Sequence, residues 1–264
     1  MHNEIDEKIV KLSSKLKNIG LIEILKSKIE EILGDDVTFG AEIEFYSLKY
    51  SIDEVSSKLP EYNFIKERGV GQIEYHIGPA QSLSKFMSDI NESRKKIEKI
   101  LQDEVDFSPK PFSHDFGNAL QIQISSRSKL FQQSLDEICA GFCFFAKKTF
   151  LAFAQTNSCY KRFDSNYMAP SYISYGLNNR SCLIRICGNE FKRIEVRAAS
   201  NNCDLYVLIS TILMTIYKSL IENKRTDIYQ RIYGNSFDSQ YSLEKIPENI
   251  KIARELFDEE FYKI

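Results

Sequence analysis

Four short stretches of this chain alternate apolar and polar residues with a period of two: AEIEFY at 41–46, GQIEYHIG at 71–78, LQIQIS at 120–125 and RIEVR at 193–197. Successive side chains of a strand point to opposite faces. Ile43, Phe45, Ile73, Tyr75, Ile77, Ile122, Ile124, Ile194 and Val196 therefore belong to apolar faces, and Glu42, Glu44, Gln72, Glu74, His76, Gln121, Gln123, Ser125, Arg193, Glu195 and Arg197 to polar ones. Strands of this kind need cover on one side only. The pattern predicts an α+β fold: a curved, mainly antiparallel sheet with a polar concave face, and helices packed on the apolar face.

Helical periodicity supplies the cover. Ile22, Leu25, Ile29 and Ile32 recur at helical spacing and Gly34 follows as a stop. A second amphipathic helix is predicted over Leu83–Leu101, with two more over about Leu130–Phe153 and Cys203–Glu222. A tail helix opens near Pro247, where a missing N–H is harmless. Residues 1–36 read as a helical lead and 37–264 as one domain, since no repeat, low-complexity tract or Pro/Gly/Ser linker divides them.

Taken singly, each polar face could be ordinary solvated sheet. Taken together the faces hold Glu42, Glu44, Glu74 and Glu195 with two arginines and no lysine. Carboxylates on neighbouring strands repel unless cations lie between them, and clustered hard oxygens suit Mg²⁺ or Mn²⁺ rather than zinc. Arg180 and Arg185 precede Arg193 and Arg197, and guanidinium forks match phosphate and carboxylate oxygens. Metals and arginines on one face would suit a nucleotide polyphosphate and an acidic substrate.

Composition excludes other classes. A net charge of −2 gives no field for nucleic acid or an anionic membrane. The apolar run Leu205–Tyr217 falls short of the roughly 20 residues a bilayer crossing needs, and Lys147 and Lys148 interrupt the other apolar stretch. The start MHNEIDEKIVKL is no secretory signal, so a cytoplasmic protein with six reduced, buried cysteines is expected. No P-loop is present. His76 and His114 read as structural histidines, Cys182 and Cys187 as packing residues, and Asp53, Glu54 and the stretch 92–99 as solvated surface.

Six ordered blocks from about Gly40 onward resemble the catalytic domain of glutamine synthetase. GAEIEF is similar to that family's Glu-x-Glu strand, ERGVGQIE to its Glu…Gly-Gln-x-Glu segment, and FSPKPF…FGNALQIQIS to its Met-Pro-Lys-Pro…Gly-x-Gly-Met-His-x-His-x-Ser stretch. SCYKRFDSNYMAP, NNRSCLIRI and RIEVRAASNN resemble Asn-Ser-Tyr-Lys-Arg-Leu-x-Pro-Gly-Tyr-Glu-Ala-Pro, Asn-Arg-Ser-x-x-x-Arg-Ile and Arg-x-Glu-x-Arg-x-Pro-Asp. The resemblance implies that Glu44, Glu67 and Glu74 hold one Mg²⁺ or Mn²⁺, and that Glu42, Gln121 and Glu195 surround a second. Arg162 and Arg197, with backbone near Gly117, would grip glutamate. Arg180, Arg185 and Arg193 would face the ATP phosphates, Gln123 and Ser125 would border the nucleotide, and Arg180 and Arg197 would act in catalysis. The implied reaction is ATP-driven phosphorylation of a γ-carboxylate, then displacement of phosphate by ammonia or another amine.

The chain departs from that family at four places. The residues before Gly40 leave no room for the amino-terminal β-grasp domain, so the family's homo-oligomeric assembly stays open here. Glu44 and Glu67 are closer in sequence than their counterparts, the metal-binding histidine is Gln121, and the glutamate of Tyr-Glu-Ala-Pro is Met168. A thioether cannot take a proton from ammonium. The competing expectation is a related protein that binds ligands without turnover, as a regulatory module.

Overall fold

The computed structural model describes residues 4–222 and 225–264; residues 1–3 of the helical lead lie outside them. The sheet is open and mostly antiparallel, and its spatial order departs widely from chain order. β2 (Phe64–Lys66), β3 (Gln72–Ala80), β1 (Thr38–Ser47), β5 (Leu120–Ser125), β8 (Arg193–Val196), β7 (Ile184–Cys187) and β6 (Tyr175–Leu177) follow one another across it. The short β4 (Val105–Asp106) pairs with β1 off this path, and β6 with β7 is the parallel pair. All four alternating segments are strands and lie consecutively, β3-β1-β5-β8, so their parities align into two continuous faces.

The apolar face is core. Phe39, Ile43, Phe45, Ile73, Tyr75, Ile122, Ile124, Ile194 and Val196 are buried in one cluster with residues from the helices. α4 (Leu83–Leu101) lies against β1 and β3, and α6 (Leu135–Phe153) against β6 and β7. Behind them α7 (Leu205–Glu222) packs on α6, on α2 (Leu21–Leu33) and on α1 (Glu7–Asn18). Gly141 on α6 permits the close approach, since a Cβ there would sit 3.1 Å from Ser219 Cβ on α7. α7 is long and apolar enough to cross a bilayer, yet 67% of that span is buried inside the protein, as in a core helix. The interrupting lysines of α6 reach outward, Lys147 to Glu244 at 3.1 Å and Lys148 to Asp258 at 3.6 Å.

Helix termini follow local chemistry. The predicted span Leu83–Leu101 is observed, with Ser82 accepting from Lys85 N–H at 3.3 Å, and α2 ends at Gly34 in the left-handed conformation. The segment predicted as one helix over Leu130–Phe153 is two: α5 (Lys129–Gln133) stops at Ser134, and α6 restarts beyond it. Apolar positions continue in phase across the break, which hides it, but Ser134 leaves the helix to close α5 by donating to Leu130 O and Phe131 O. Asp136 and Glu137 then open α6 with acidic charge at its amino end, and Arg231 and the Arg225 N–H meet them at 2.5 Å and 2.8 Å. The tail helix is shorter than predicted, α8 (Ile250–Leu256), and starts at Asn249 rather than beside Pro247, because the Asn249 carboxamide accepts from Ile252 N–H at 3.0 Å. Five cysteines are buried and Cys203 is half-buried; all six are free thiols.

Ile122 stands mid-sheet and fully buried. Ile122→Ala should lower unfolding free energy by about 2–5 kcal/mol in urea titration; a change under about 1 kcal/mol would place the helical layer elsewhere.

Candidate active site

Strand register sets the polar face into rows. In one, Glu74 on β3 lies opposite Glu44 on β1. In the next, His76 lies opposite Glu42, and Glu42 opposite Gln121 on β5. In a third, Gln123 lies opposite Glu195 on β8, and Glu195 opposite Arg185 on β7. The predicted carboxylates thus converge from separate segments, yet they are sunk in the protein rather than solvated: Glu44, Glu74 and Glu195 are all buried.

Their surroundings differ. Glu195, with 0% exposure, would be pushed up by burial, but Arg197 at 2.9 Å and Arg185 at 3.4 Å hold its carboxyl below the ordinary range. The Cys187 thiol donates to it at 3.4 Å. On β1 the balance is reversed. Burial raises Glu44 to about 8, the nearby Glu74 and Glu67 adding to the effect, although Ala119 N–H and the Gln121 amide both donate to it at 2.8 Å. Glu42, which accepts from the Gln123 amide, is raised to about 7 by burial and by Glu195 and Glu74. Glu67 is raised by burial and by Glu74.

A cleft opens above these rows, walled by Glu44, Glu67, Gln121, Arg162, Arg180 and Arg197 with Gly117 and Met168. Its floor is tied together by Gln72, whose carboxamide accepts from Gly69 N–H at 3.1 Å and donates to Gly117 O at 3.1 Å. That fixes the turn carrying Glu67 against the Gly117 loop. Arg162 is buried, which lowers it to about 10, and donates to the carbonyls of Arg197, Ala198 and Ala199 at 3.3, 2.6 and 3.3 Å. A side chain at Gly117 would strike Arg162, a Cβ there lying 2.5 Å from its Cγ. The Nε atoms of Arg162, Arg185, Arg193 and Arg197 are buried without an acceptor, as are those of Arg94 and Arg225 elsewhere. Arg185, Arg193 and Arg197 share the polar sheet face, and guanidinium groups gathered there suit an anionic ligand. Gln123 and Ser125 lie further along β5, where the Ser125 and Thr38 hydroxyls bond at 2.8 Å.

The family model of the glutamine synthetase catalytic domain matches residues 63–263. The chain belongs to the glutamine synthetase catalytic-domain family. It is 26% identical to glutamine synthetase of Thermotoga maritima over 167 residues, 56% of this chain and 38% of that protein. It is 21% identical to γ-glutamylputrescine synthetase PuuA of Escherichia coli over 215 residues, 74% of this chain and 45% of that one. The chain therefore spans less than half the length of either relative. Its fold matches a solved GmaS/ADP complex with a TM-score of 0.71 at 19% identity, covering 90% of this chain and 69% of that one.

His76, read in the sequence as a structural histidine, donates from Nε2 to the Glu74 carboxylate at 2.8 Å and groups with Glu42 and Glu74. Its parity with Glu74 was visible; that Glu42 lies opposite it depends on register. Met168 sits at the cleft mouth with a left-handed φ of 54°, next to Tyr167, whose ring meets Phe116 edge-on at 5.6 Å.

Glu42, Glu44, Glu67 and His76 all titrate above their ordinary values. Each then contributes stability that is present below its unfolded pKa and lost as pH climbs through the raised one. Metal-free protein should therefore lose thermal stability between about pH 5 and about pH 8.5, by roughly 3 °C or more, and Mn²⁺ should restore it at the alkaline end. A flat melting profile would refute the buried-carboxylate balance.

Proposed function

We propose that the protein is an ATP- and divalent-metal-dependent carboxylate–amine ligase of the glutamine synthetase type. The observation that carries this reading is the gathering on one sheet face of carboxylates at Glu42, Glu44 and Glu74 and guanidinium groups at Arg185, Arg193 and Arg197, with Glu67, Arg162 and Arg180 in the wall of the cleft above. The hard-oxygen donor set fits Mg²⁺ or Mn²⁺. Bound there, such ions would screen the charge of a polyphosphate and withdraw electrons from the transferring phosphoryl group.

A carboxylate is a poor electrophile, so the reaction needs an oxygen of a glutamate-like γ-carboxylate to attack the terminal phosphorus of ATP, releasing ADP. Attack by an amine on the resulting acyl phosphate forms the amide and expels phosphate, and the amine's extra proton goes to water or a nearby base. In this reading Arg162 and Arg197, which line the cleft with Gly117, would hold the substrate carboxylates, and Arg180 and Arg185 would steady phosphate oxygens. Positioning of the reacting groups would supply most of the rate.

Met168 bears on the acceptor. It offers a thioether where the resemblance implies a carboxylate, and with Phe116 and Tyr167 it gives the cleft mouth an apolar lip. An organic amine fits that lip better than ammonium does, in keeping with a family that includes a γ-glutamylputrescine synthetase. The six free thiols suit a reducing compartment such as the cytoplasm.

The test is phosphate release from ATP with glutamate and a panel of amines. Turnover should be greater with alkylamines than with ammonium, Met168→Glu should shift the preference towards ammonium, and Arg197→Lys should lower kcat/KM by about 10²-fold. No phosphate release with any amine, beside tight Mg-ATP binding in calorimetry, would instead identify a ligand-binding module without turnover.

A further inference from the structure

We infer that His76 is a metal ligand in this protein, completing with Glu42 and Glu74 a site in which an imidazole on β3 does what position 121 on β5 cannot. The inference rests on the ligase reading above and specifies one of its metal sites. Glu42, Glu74 and His76 each offer a ligand atom, and these atoms all lie within 4.8 Å of one another. His76 Nε2 and Glu74 Oε1 are 2.8 Å apart. Two ligands at about 2.1 Å and at right angles on one ion are separated by about 3 Å, so the pair already has the spacing of neighbouring metal ligands.

A second observation comes from the hydrogen bonds. Glu74 is only 6% exposed, and among the described residues its one side-chain partner is His76, so no arginine or lysine offsets its charge. A buried carboxylate with no fixed cationic partner favours a bound cation.

The β5 and β8 side of the face is closed to a metal. Gln121 is committed at both ends, its carbonyl oxygen accepting from Arg197 at 2.8 Å and its amide donating to Glu44 at 2.8 Å. A cation at that oxygen would sit against a guanidinium. Glu195 is neutralised by Arg185 and Arg197 and takes the Cys187 thiol besides. Negative charge left over on the face therefore gathers on β1 and β3, and register sets His76 directly opposite Glu42 there. With 47% of its side chain exposed, the imidazole is open to an entering ion. A nitrogen donor favours a first-row transition ion over Mg²⁺, so Mn²⁺ should bind more tightly than Mg²⁺ at this site.

The decisive measurement is pulsed electron paramagnetic resonance of the full chain loaded with Mn²⁺, which reads ¹⁴N nuclei bonded to the ion. Nitrogen coupling is expected in the wild type and in H114Q, and its loss in H76Q, together with about tenfold weaker Mn²⁺ binding to one class of site in calorimetry. Mn²⁺ bound without nitrogen coupling in the wild type would overturn the inference and reduce the contact to a His76–Glu74 hydrogen bond, leaving the ligase reading intact. Persistence of the coupling in H76Q would overturn it as well. Failure of the wild type to bind Mn²⁺ at all would remove both. Should H76Q fail to fold, H76N takes its place, and persistence of the coupling there would overturn the inference equally.

Discussion

Glu44 and Glu195 are buried on the same sheet face, and burial by itself drives any carboxyl towards its neutral form. Their fates diverge because of their neighbours. Two guanidinium groups keep Glu195 ionised, whereas Glu44 has amide donors and other carboxylates around it and is raised to about 8. Much else answers to this imbalance. The sheet must bring acids together from strands far apart in the chain, hold them out of bulk water, and remain foldable while they repel. Glutamine, rather than a further acid, stands at positions 72, 121 and 123, and its amide donors reach the Gly117 carbonyl, Glu44 and Glu42 respectively. Each carboxamide supplies partial positive charge without filling the space a cation would need.

The division of the face follows from chain order. β1 lies between β3 and β5, so it presents its acids to acids on one side and to amides on the other. β8 lies between β5 and β7, and meets amide on one side and arginine on the other. A gradient results across a few strand spacings, from excess negative charge at β3 and β1 to balanced ion pairs at β8 and β7. A ligand with a metal-bound polyphosphate and a separate carboxylate could use both ends of such a gradient.

Much of this was legible in the sequence, for an identifiable reason. Side-chain parity is a local property, so EIE, QIE, QIQ and IEV disclosed which residues share a face before any fold was known. The long helices were equally plain, because α4 and α7 keep an apolar pattern over four or more turns. Register is not local. Nothing in the chain says that residue 76 lies opposite residue 42, or that both hydrogen-bonding ends of Gln121 are occupied, since these depend on which strands become neighbours. Burial of Glu195 was hidden likewise: a charged residue two positions from another reads as solvated until the partners that replace water are known. The break at Ser134 escaped because hydrophobic phase carries through it, and only the capping hydrogen bonds distinguish two helices from one.

Position 168 joins backbone geometry to the charge balance. A non-glycine residue at a φ of 54° is uncommon, and such conformations persist where the surroundings over-determine them. Here Met168 N–H closes a tight turn onto Ser165 O at 3.1 Å, Tyr167 is held edge-on by Phe116, and the Lys110 ammonium lies 3.7 Å from the Tyr167 ring centre. The mouth of the cleft is therefore a fixed lip rather than an adjustable one. Around it stand Arg68, Arg162, Arg180 and Arg197, and a carboxylate at 168 would have offset part of that positive charge. A thioether there instead leaves that charge in place and adds apolar surface beside Phe116 and Tyr167. Guanidinium charge in the wall and carboxylate excess on the floor thus give the cleft two electrostatic ends.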